Sequence, residues 1–290
     1  MRLGVISRKA TYWGTKRIMR AARNRGLDTQ HLKTDEIQLM VDETKAAAAY
    51  HDVQLSEFDI FIPRIGRSLT EFGVLLLNHL DIIGIPTTLS RRGLFLARNK
   101  FLALQELKRA KVKIPSSILL GSRFEMSDLV GQMPTPFIMK LLTGTQGVGV
   151  MRVDDPKDAR PIVDTLVELK QLICVQKYVP NPGEDIRAFV VGQKVVAAMR
   201  RIAPPNEWRS NIHLGGKGVG YKLTKEQEDT ALHAAKALDV EIAGVDMIQS
   251  TDGIYVIEVN VSPGFKGLYE ATGIDASEAI AEHVIQRMKG

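Results

Sequence analysis

The sequence predicts an α/β (α+β) protein with an N-terminal parallel sheet followed by antiparallel hairpins. Residues 3–7 and 59–63 are short apolar runs typical of buried strands, and residues 15–25 and 68–79 have the periodicity of amphipathic helices. This alternation is typical of a parallel sheet with a crevice at the carboxyl ends of its strands. Later in the chain, paired apolar runs flank turn signals, as β-hairpins do.

The remaining elements follow from periodicity and from glycine and proline signals. The first helix should stop at Gly26, and residues 82–86 should lead into a third strand-like step. Further helices are expected at 99–111, 161–170, 225–238 and 276–289, and further strands at 136–142, 148–153, 172–178, 186–191, 194–200, 243–248 and 254–260. A change of texture near Pro115 and a breaker group at 180–183 favour three domains, at 1–93, 94–179 and 180–290.

Two carboxylates, Asp246 and Glu258, stand inside the apolar runs of the last predicted hairpin. If Thr251-Asp252-Gly253 is a three-residue loop with its glycine left-handed, Ser250 faces Ile254 and Asp246 faces Glu258. A two-residue turn over the last two of these loop residues would instead shift the register by one. The hairpin would then present an ordinary solvated face.

The first register predicts a metal site. Asn260 follows Glu258 on the same face by strand alternation, so three oxygen-bearing side chains would lie together with Asp246. Opposed carboxylates repel and are costly to desolvate, so a cation should lie between them. A set of Asp, Glu and Asn without His or Cys suits Mg²⁺ better than zinc or copper.

Composition narrows the class of protein. The formal charge of +6 and the pI of about 9.3 favour anionic partners, but no nucleic-acid module signature accompanies them. The single cysteine, Cys174, excludes an internal disulfide framework, fits the reducing cytoplasm and is expected to pack in the core. No signal peptide and no apolar run long enough for a membrane span is evident, so no membrane partner is expected.

Several basic residues are candidates for binding phosphate or other anions. Lys140 lies inside an apolar strand directly before a glycine-rich segment, where backbone N–H groups could close over phosphates; a plain flexible turn is the alternative. Arg200-Arg201 and Arg209-Ser210-Asn211 could bind phosphate oxygens or form surface salt bridges. Arg8 and Arg64 fall at the carboxyl ends of predicted parallel strands, where anions bind, although Arg64 and Arg67 could simply begin a helix.

Taken in order, these residues resemble the ATP-grasp ligases, and most closely the RimK-like enzymes that add glutamate to the carboxyl terminus of ribosomal protein S6. The matching segments are Ile62-Pro63-Arg64-Ile65-Gly66, Ala97-Arg98-Asn99-Lys100, residues 140–150, Val175-Gln176-Lys177-Tyr178, Asp185-Ile186-Arg187, residues 209–216, Ala243-Gly244-Val245-Asp246 and residues 258–264. The resemblance implies an N-terminal Rossmann-like domain followed by two α+β subdomains that clasp a nucleotide.

The resemblance also implies roles for individual residues. ATP would be bound by Lys100, Lys140, Gly144, Gly147, Gly149, the hinge Gln176, Lys177 and Tyr178, and by Asp185, Arg209, Ser210 and Asn211. Mg²⁺ or Mn²⁺, with two ions expected, would be held by Asp246, Glu258 and Asn260. Arg201 and Lys140 would be catalytic, and the substrate would contact Arg8, Arg64, Gly66, Ser262 and Gly264.

The implied reaction is ATP-dependent joining of an acceptor carboxylate to the α-amine of L-glutamate through an acyl phosphate. The acceptor would be anionic and glutamate-tailed, either the S6 C-terminus or a small coenzyme of the deazaflavin or pterin type, and the enzyme is expected to be a homo-oligomer. One departure is Lys177, where the S6 enzymes usually have glutamate, so acceptor or nucleotide preference could differ. A non-catalytic nucleotide-binding module is the alternative from another class, and it would be expected to lack one of the phosphate lysines or metal ligands.

Overall fold

The computed structural model describes residues 1–121, 133–142, 149–181, 183–205, 207–210 and 215–289, and within them the strands form four sheets. The helices are α1 (Trp13–Asn24), α2 (Thr70–Ile82), α3 (Arg91–Arg98), α4 (Lys100–Arg109), α5 (Pro156–Glu168), α6 (Lys225–Ala237), α7 (Lys266–Thr272) and α8 (Ala276–Lys289). The strands are β1 (Arg2–Ser7), β2 (Asp28–Lys33), β3 (Ile37–Val41), β4 (Ala46–Tyr50), β5 (Val53–Gln54), β6 (Ile60–Arg64), β7 (Ser117–Leu120), β8 (Phe137–Leu141), β9 (Val150–Val153), β10 (Ile173–Lys177), β11 (Glu184–Val191), β12 (Lys194–Ile202), β13 (Lys217–Gly220), β14 (Ile242–Ser250) and β15 (Gly253–Asn260).

The N-terminal sheet is parallel, as predicted, with strand order β2-β1-β6. All residues of β1 after Arg2 are buried, which is the pattern of a parallel strand covered on both faces. Helix α1 ends before Gly26 as expected: Gly26 has a φ of 81°, and the Leu27 N–H donates to the Ala22 carbonyl at 3.1 Å. This is a Schellman-type helix end, in which glycine adopts the left-handed conformation without strain.

The first hundred residues contain one feature that was predicted in outline and two that were missed. The strand-like step expected after residues 82–86 is present, but only as an isolated parallel bridge between Thr87 and Phe61. Strand β2 was missed because its sequence, DTQHLK, is polar and half-exposed, and it is held by pairing with β1. The antiparallel sheet β3-β4-β5 was missed as well, since the alanine run in β4 carries no strand signal and depends on its neighbours.

The two later sheets are antiparallel, with orders β7-β10-β8-β9 and β13-β12-β11-β14-β15. The hairpin that turns at Gly192-Gln193 is confirmed by the β11–β12 pairing. Edge strand β13 and helix α7 were not expected, and α5 begins at Pro156 rather than at Pro161, because Asp155 caps its N-terminus through the Lys157 N–H at 2.9 Å.

The register of the last hairpin is correct at Asp246 for a reason that the sequence did not reveal. Ser250 pairs with Gly253, not with Ile254, so the loop has two residues rather than three. A β-bulge then shifts the register between Asp246 and Met247, and this shift restores the pairing of Asp246 with Glu258. The shorter loop and the bulge therefore cancel, and Asp246 faces Glu258 as expected.

Shared cores join the N-terminal sheet to the C-terminal one. One cluster includes Ile6, Leu94 and Val245, and another includes Val5, Phe189 and Ile280, so residues far apart in sequence are buried together. Among the described residues, no helix combines the length and apolar character that crossing a membrane requires.

Helix α3 is one of these junctions. The Ser90 hydroxyl caps the helix by accepting from the Gly93 N–H at 2.9 Å, and it also donates to the Asp239 carboxylate. A Cβ at Gly93 would lie 2.3 Å from the Asp239 carbonyl oxygen, so the helix can approach this backbone only with glycine there.

We predict that Gly93→Ala lowers the free energy of unfolding by about 1–3 kcal/mol, because a methyl group would force two backbones apart. Gly66→Ala is the matched control: its Cβ would meet no atom within 4 Å and its φ is −72°, so its effect should stay within about 0.5 kcal/mol. Urea unfolding followed by circular dichroism measures both. Equal effects of the two substitutions would contradict this account of the junction.

Candidate nucleotide and ligation site

A cleft lies between the sheet β7-β10-β8-β9 and the sheet β13-β12-β11-β14-β15. Its lining combines apolar side chains from both sheets and from α4 with a group of polar and charged residues. The polar and charged lining residues are Lys100, Lys140, Gln176, Lys177, Tyr178, Asn181, Asp185, Trp208, Arg209, Ser210, Arg201, Asp246 and Glu258. Most of the residues predicted to bind the nucleotide are therefore brought together, although they come from distant segments.

Several cations converge on one carboxylate at this cleft. Glu258 exerts an electrostatic attraction on Arg67, Arg98, Lys100 and Lys140. Burial lowers the pKa of Lys100 and of Lys140, and it also lowers the pKa of Arg98, because a desolvated cation is disfavoured. Lys100 and Lys140 line the cleft as desolvated ammonium groups, which suits the binding of an anion.

Lys140 is held in place by a polar chain across the sheet. Its Nζ donates to the Gln176 Oε1 at 2.6 Å, and the Gln176 Nε2 donates to the Ser117 hydroxyl at 2.9 Å. Lys140 also lies opposite Cys174 on β10, and burial raises the pKa of that thiol. Cys174 is thus a buried lining residue of the cleft, as its apolar surroundings predicted.

The predicted hinge follows β10. The Lys177 side chain is exposed, and its backbone N–H donates to the Ser116 carbonyl at 2.8 Å, so the side chain is free of the sheet while its backbone is fixed by it. The ring of Tyr178 is covered by the Arg152 guanidinium at 4.8 Å. The Lys177 side chain therefore takes no part in the backbone hydrogen bond that fixes the hinge.

Part of the predicted nucleotide set lies outside the described residues, namely Gly144, Gly147 and Asn211. Gly149 is described, with a φ of 73°, and its carbonyl accepts from the Leu141 N–H at 2.9 Å. A Cβ there would lie 2.9 Å from a Leu141 side-chain carbon, so glycine is required at this end of the predicted loop.

The floor of the cleft is a ladder of buried charges across three strands. The Arg201 guanidinium donates to both oxygens of Asp185, at 2.6 and 2.5 Å, and Arg187 donates to both oxygens of Asp246 at 2.6 Å. The Arg201 Nη2 also lies 3.1 Å from the Asp246 Oδ2. Two guanidinium groups thus neutralise two carboxylates, and the ladder as a whole carries no net charge.

Burial and pairing compete within this ladder. Burial opposes ionisation of Asp246, but Arg187 and Arg201 outweigh it, and the pKa of the Asp246 carboxyl is lowered. Burial dominates at Asp185, whose pKa is raised although Arg201 opposes this. The pKa of Arg201 is raised by both carboxylates against the effect of its burial, so this guanidinium stays charged.

The predicted metal ligands lie together at the edge of this ladder. Glu258 is exposed and stands opposite Asp246, and the Asn260 Nδ2 lies 3.4 Å from the Gly244 carbonyl and 3.5 Å from the Asp246 Oδ2. No group of three or more His, Cys, Asp or Glu side chains in the described ranges is placed to hold an ion. The predicted set is not of that kind, since its third member is an amide.

The loop before β13 contributes a further arginine, Arg209, to the lining of the cleft. The Arg209 guanidinium donates to the Glu207 carboxylate at 3.1 and 2.7 Å, and the resulting hydrogen bonds lower the pKa of Glu207 to about 2. The Ser210 hydroxyl is hydrogen-bonded to Asp185. This loop therefore attaches to the charged ladder at one point and lines the cleft together with Trp208.

The predicted substrate residues do not line this cleft but lie at the carboxyl end of β6 and after β15. The Arg64 Nη2 donates to the Pro263 carbonyl at 3.3 Å, which places Arg64 beside the loop that carries Ser262 and Gly264. Arg8 contacts the Ser68 hydroxyl near the start of α2. The structure thus places Arg64 beside the loop of Ser262 and Gly264, and it places Arg8 and Gly66 on the N-terminal loops.

Comparison with known proteins identifies the family. A family model described as the RimK PreATP-grasp domain matches residues 1–94, and one described as the RimK-like ATP-grasp domain matches residues 97–284. The chain belongs to the RimK-like ATP-grasp family. With this membership the RimK-like protein is an ATP-dependent ligase, and both the resemblance and the fold class predicted from the sequence are confirmed.

Relatives and solved structures agree with this membership. The chain is 36% identical over its whole length to a probable alpha-L-glutamate ligase 2 of Shewanella denitrificans, covering 97% of that protein. It is 37% identical to a probable alpha-L-glutamate ligase of Thioalkalivibrio sulfidiphilus, again covering 97%. The structure of the ATP-grasp ligase PsnB superposes with a TM-score of 0.77 at 18% identity, and the match covers 98% of both chains. A RimK domain protein of Sphaerobacter thermophilus superposes with a TM-score of 0.74 at 18% identity, and the match covers 98% of this chain and 100% of that one. At such identities the likeness to PsnB and to the Sphaerobacter protein shows the fold.

Sequence reasoning missed three arginines of the RimK-like site. Arg187 had a usable signal, because it stands two residues after Asp185 on the same strand face and inside a matching segment. Arg98 lay in another matching segment directly before Asn99-Lys100, and Arg67 was considered only as the start of a helix. The positions of Arg67 and Arg98 near Glu258 depend on tertiary packing that no local pattern encodes.

We predict that Asp185→Asn lowers the free energy of unfolding by about 3–5 kcal/mol, because it breaks a buried bidentate ion pair and weakens the neutralisation of Arg201. Glu184→Gln removes the neighbouring but more exposed partner of Arg200 and should cost about 0–1 kcal/mol. Guanidinium chloride titrations of both variants provide the comparison. A ladder that contributes nothing to folding would give the same small effect in each.

Proposed function

We propose that the RimK-like protein activates an acceptor carboxylate as an acyl phosphate and joins it to the α-amine of L-glutamate, as an S6-type glutamate ligase. The observation that carries this proposal is the cleft whose lining brings the buried Lys100 and Lys140 together with Glu258, which attracts both ammonium groups. Relatives of 36–37% identity that are named probable alpha-L-glutamate ligase support glutamate as the amine.

ATP suits this cleft for two physical reasons. Ile138, Val150 and Ile248 offer apolar surface on which a flat base can be buried. Lys100 and Lys140 are desolvated ammonium groups that regain favourable interactions when phosphate oxygens approach them. The residues at the hinge, Gln176 to Tyr178, would fix the base by backbone groups.

The residues near Glu258 fit Mg²⁺ or Mn²⁺. Both ions prefer oxygen ligands, and Mg²⁺ is commonly bound by one or two carboxylates together with substrate phosphates. Glu258 and Asn260 supply exposed or half-exposed oxygens, whereas Arg187 already engages both oxygens of Asp246. Glu258 and Asn260 would therefore be the principal ligands, with Asp246 beside them, and the two oxygens of Glu258 can serve two ions. When bound, the ions would offset negative charge on the phosphates.

The reaction requires activation because a carboxylate is a poor electrophile at neutral pH. Attack of an acceptor carboxylate oxygen on the γ-phosphorus of ATP gives an acyl phosphate and ADP. The glutamate amine then attacks the acyl carbon, phosphate leaves, and the proton lost by the amine passes to solvent or a base. Lys140 would hold the transferring phosphoryl group, since its ammonium is fixed by Gln176.

Arg201 fits a role in stabilising the negative charge that develops in these steps. Its Nε and Nη2 atoms are occupied by Asp185 and Asp246, while its Nη1 makes no hydrogen bond to the described residues. A guanidinium held rigidly by two carboxylates needs no reorganisation when charge develops next to it. Arg201 would thus act as a preorganised donor.

We predict that Glu258→Gln lowers the rate of ATP-dependent glutamate ligation by at least about 100-fold, because it removes the carboxylate that links the cations to the metal. The fold should persist, since Glu258 is exposed. Glu270→Gln, on the surface of α7, is the matched control and should keep full activity. Retained turnover in Glu258→Gln, measured as ADP release, would refute the metal role.

The acceptor is tested with a panel in the same assay. We expect ADP release with glutamate and an S6 C-terminal peptide or free polyglutamate, and mass spectrometry should show a mass increase of one or more glutamate residues. Turnover confined to a pterin or deazaflavin coenzyme would move the protein to the coenzyme-modifying ligases. No glutamate-dependent product with any acceptor would overturn the proposed function.

A further inference from the structure

The net positive charge of the protein is concentrated in one short segment. Residues 8–27 contain seven lysines and arginines and no aspartate or glutamate, whereas the formal charge of the whole chain is +6. Since this segment accounts for +7, the rest of the chain has a formal net charge of −1. The segment is everything between β1 and β2, chiefly helix α1. The positive charge is therefore a property of one surface, which attracts anionic partners.

Two of these cations have a structural role at the contact between α1 and α8. The Arg17 Nη1 donates to the Asp275 carboxylate at 2.5 Å, and Arg25 forms an ion pair with Glu278. The Arg17 guanidinium also lies over the ring of Tyr269, at 4.4 Å from its centre. Both arginines are neutralised within the protein, so neither offers a free charge to a partner.

Three other cations form an exposed face on the same helix. Lys16, Arg20 and Arg23 are exposed and follow one another at intervals of four and three residues, which places them on one side of α1. Lys16 and Arg20 make no side-chain hydrogen bond or ion pair within the described ranges, and Arg23 donates to the Thr29 carbonyl at 3.1 Å. This side of the helix therefore carries three charges with which no carboxylate of the described chain forms an ion pair.

An aromatic ring adjoins these cations. Tyr12 directly precedes α1 and is 46% exposed, and its carbonyl accepts from the Lys16 N–H at 3.0 Å, so it lies one turn before that lysine. At 1.5 Å per residue the helix extends about 16 Å from Tyr12 to Arg23. The three cations border a shallow depression that also includes Ala10, Thr11, Met19 and Asn24. Tyr12, Lys16, Arg20 and Arg23 together form what we call the α1 face.

The composition of the α1 face favours a nucleic acid over a protein partner. Protein interfaces have an apolar and aromatic core from which charged residues are depleted. Tyr12 is the only large hydrophobic side chain that is exposed in residues 8–27, all of which the structure describes, and the other members of the face are cations. Guanidinium groups match phosphate oxygens, and a nucleic acid strand supplies phosphates at regular intervals.

A single strand fits this surface better than a duplex. Proteins that bind single strands combine cations along the backbone with aromatic side chains on which bases stack, and the α1 face offers both. The chain has no nucleic-acid module signature, so the surface has contacts for phosphates and for stacking but none that would read the bases.

We propose that the α1 face binds a single-stranded nucleic acid, with Lys16, Arg20 and Arg23 on its phosphates and Tyr12 stacked on a base. None of the four residues lines the cleft between the two larger antiparallel sheets, so this inference goes beyond ligation and uses a separate surface. The binding is largely independent of base sequence and weakens steeply with salt, because each phosphate contact releases counterions.

Fluorescence anisotropy tests the proposal. A labelled oligouridylate of about 20 nucleotides is titrated with the full chain at KCl concentrations from about 50 to 200 mM. The double variant Lys16→Gln/Arg20→Gln removes two charges from the α1 face. Lys157→Gln/Arg160→Gln is the matched control, since it removes one exposed lysine and one exposed arginine from α5. Circular dichroism should show wild-type helix content in both, because all four side chains are exposed.

We expect Lys16→Gln/Arg20→Gln to bind about tenfold more weakly than the wild type at the lowest salt concentration. The slope of log K against log[KCl] should become shallower by about 1.4, since each phosphate contact on a single strand contributes about 0.7. Lys157→Gln/Arg160→Gln should change neither quantity. Tyr12→Ala should weaken binding about fivefold or more and leave the slope unchanged, because it removes stacking and no charge.

Four results would overturn the proposal. They are no binding of oligouridylate at the lowest salt concentration, equal weakening in the two double variants, tighter binding of a duplex of the same length, and binding of labelled poly-L-glutamate at least as tight and equally sensitive to Lys16→Gln/Arg20→Gln. The last result would assign the α1 face to an acidic protein segment. None of these measurements depends on the ligation reaction.

Discussion

The arrangement of the site depends on the charge ladder that runs across β11, β12 and β14. Arg201, Asp185, Arg187 and Asp246 are neutralised by one another, so this floor can be buried without an external ion. Glu258 stands at the end of the ladder and outside its charge balance, facing Lys100 and Lys140 from the opposite side of the cleft. The separation of a neutral floor from an unbalanced cationic wall is what makes the cleft suited to a triphosphate with its metal ions.

The presence or absence of a neighbouring carboxylate distinguishes two kinds of arginine in the protein. Those of the ladder are bound by carboxylates and act as fixed parts of the scaffold, with Arg201 keeping one donor atom for the reaction. Arg64 is desolvated and has no carboxylate partner among the described residues.

Much of the fold and of the candidate site could be predicted from the sequence, and the features that were missed have physical causes. The parallel sheet, the α1 stop at Gly26 and the pairing of Asp246 with Glu258 were predicted because periodicity and glycine signals are local. A two-residue loop was one of the two alternatives, but the compensating bulge could not be predicted, since β15 also packs against the chain around Lys113, whose carbonyl accepts from the Val256 N–H at 2.9 Å. The domain boundaries and the individual roles of the site residues stay predictions.

The central claim is that a divalent cation on Glu258 and Asn260 links the cationic cleft to the phosphates of ATP. A crystal structure with AMP-PNP and Mn²⁺, phased on the anomalous signal of manganese, tests it most directly. The account predicts an anomalous peak within about 2.0–2.6 Å of oxygens from Glu258 and Asn260, with phosphate oxygens on its other side and Lys100 and Lys140 in contact with them. A nucleotide bound elsewhere, or one bound here with no manganese near Glu258, would contradict it.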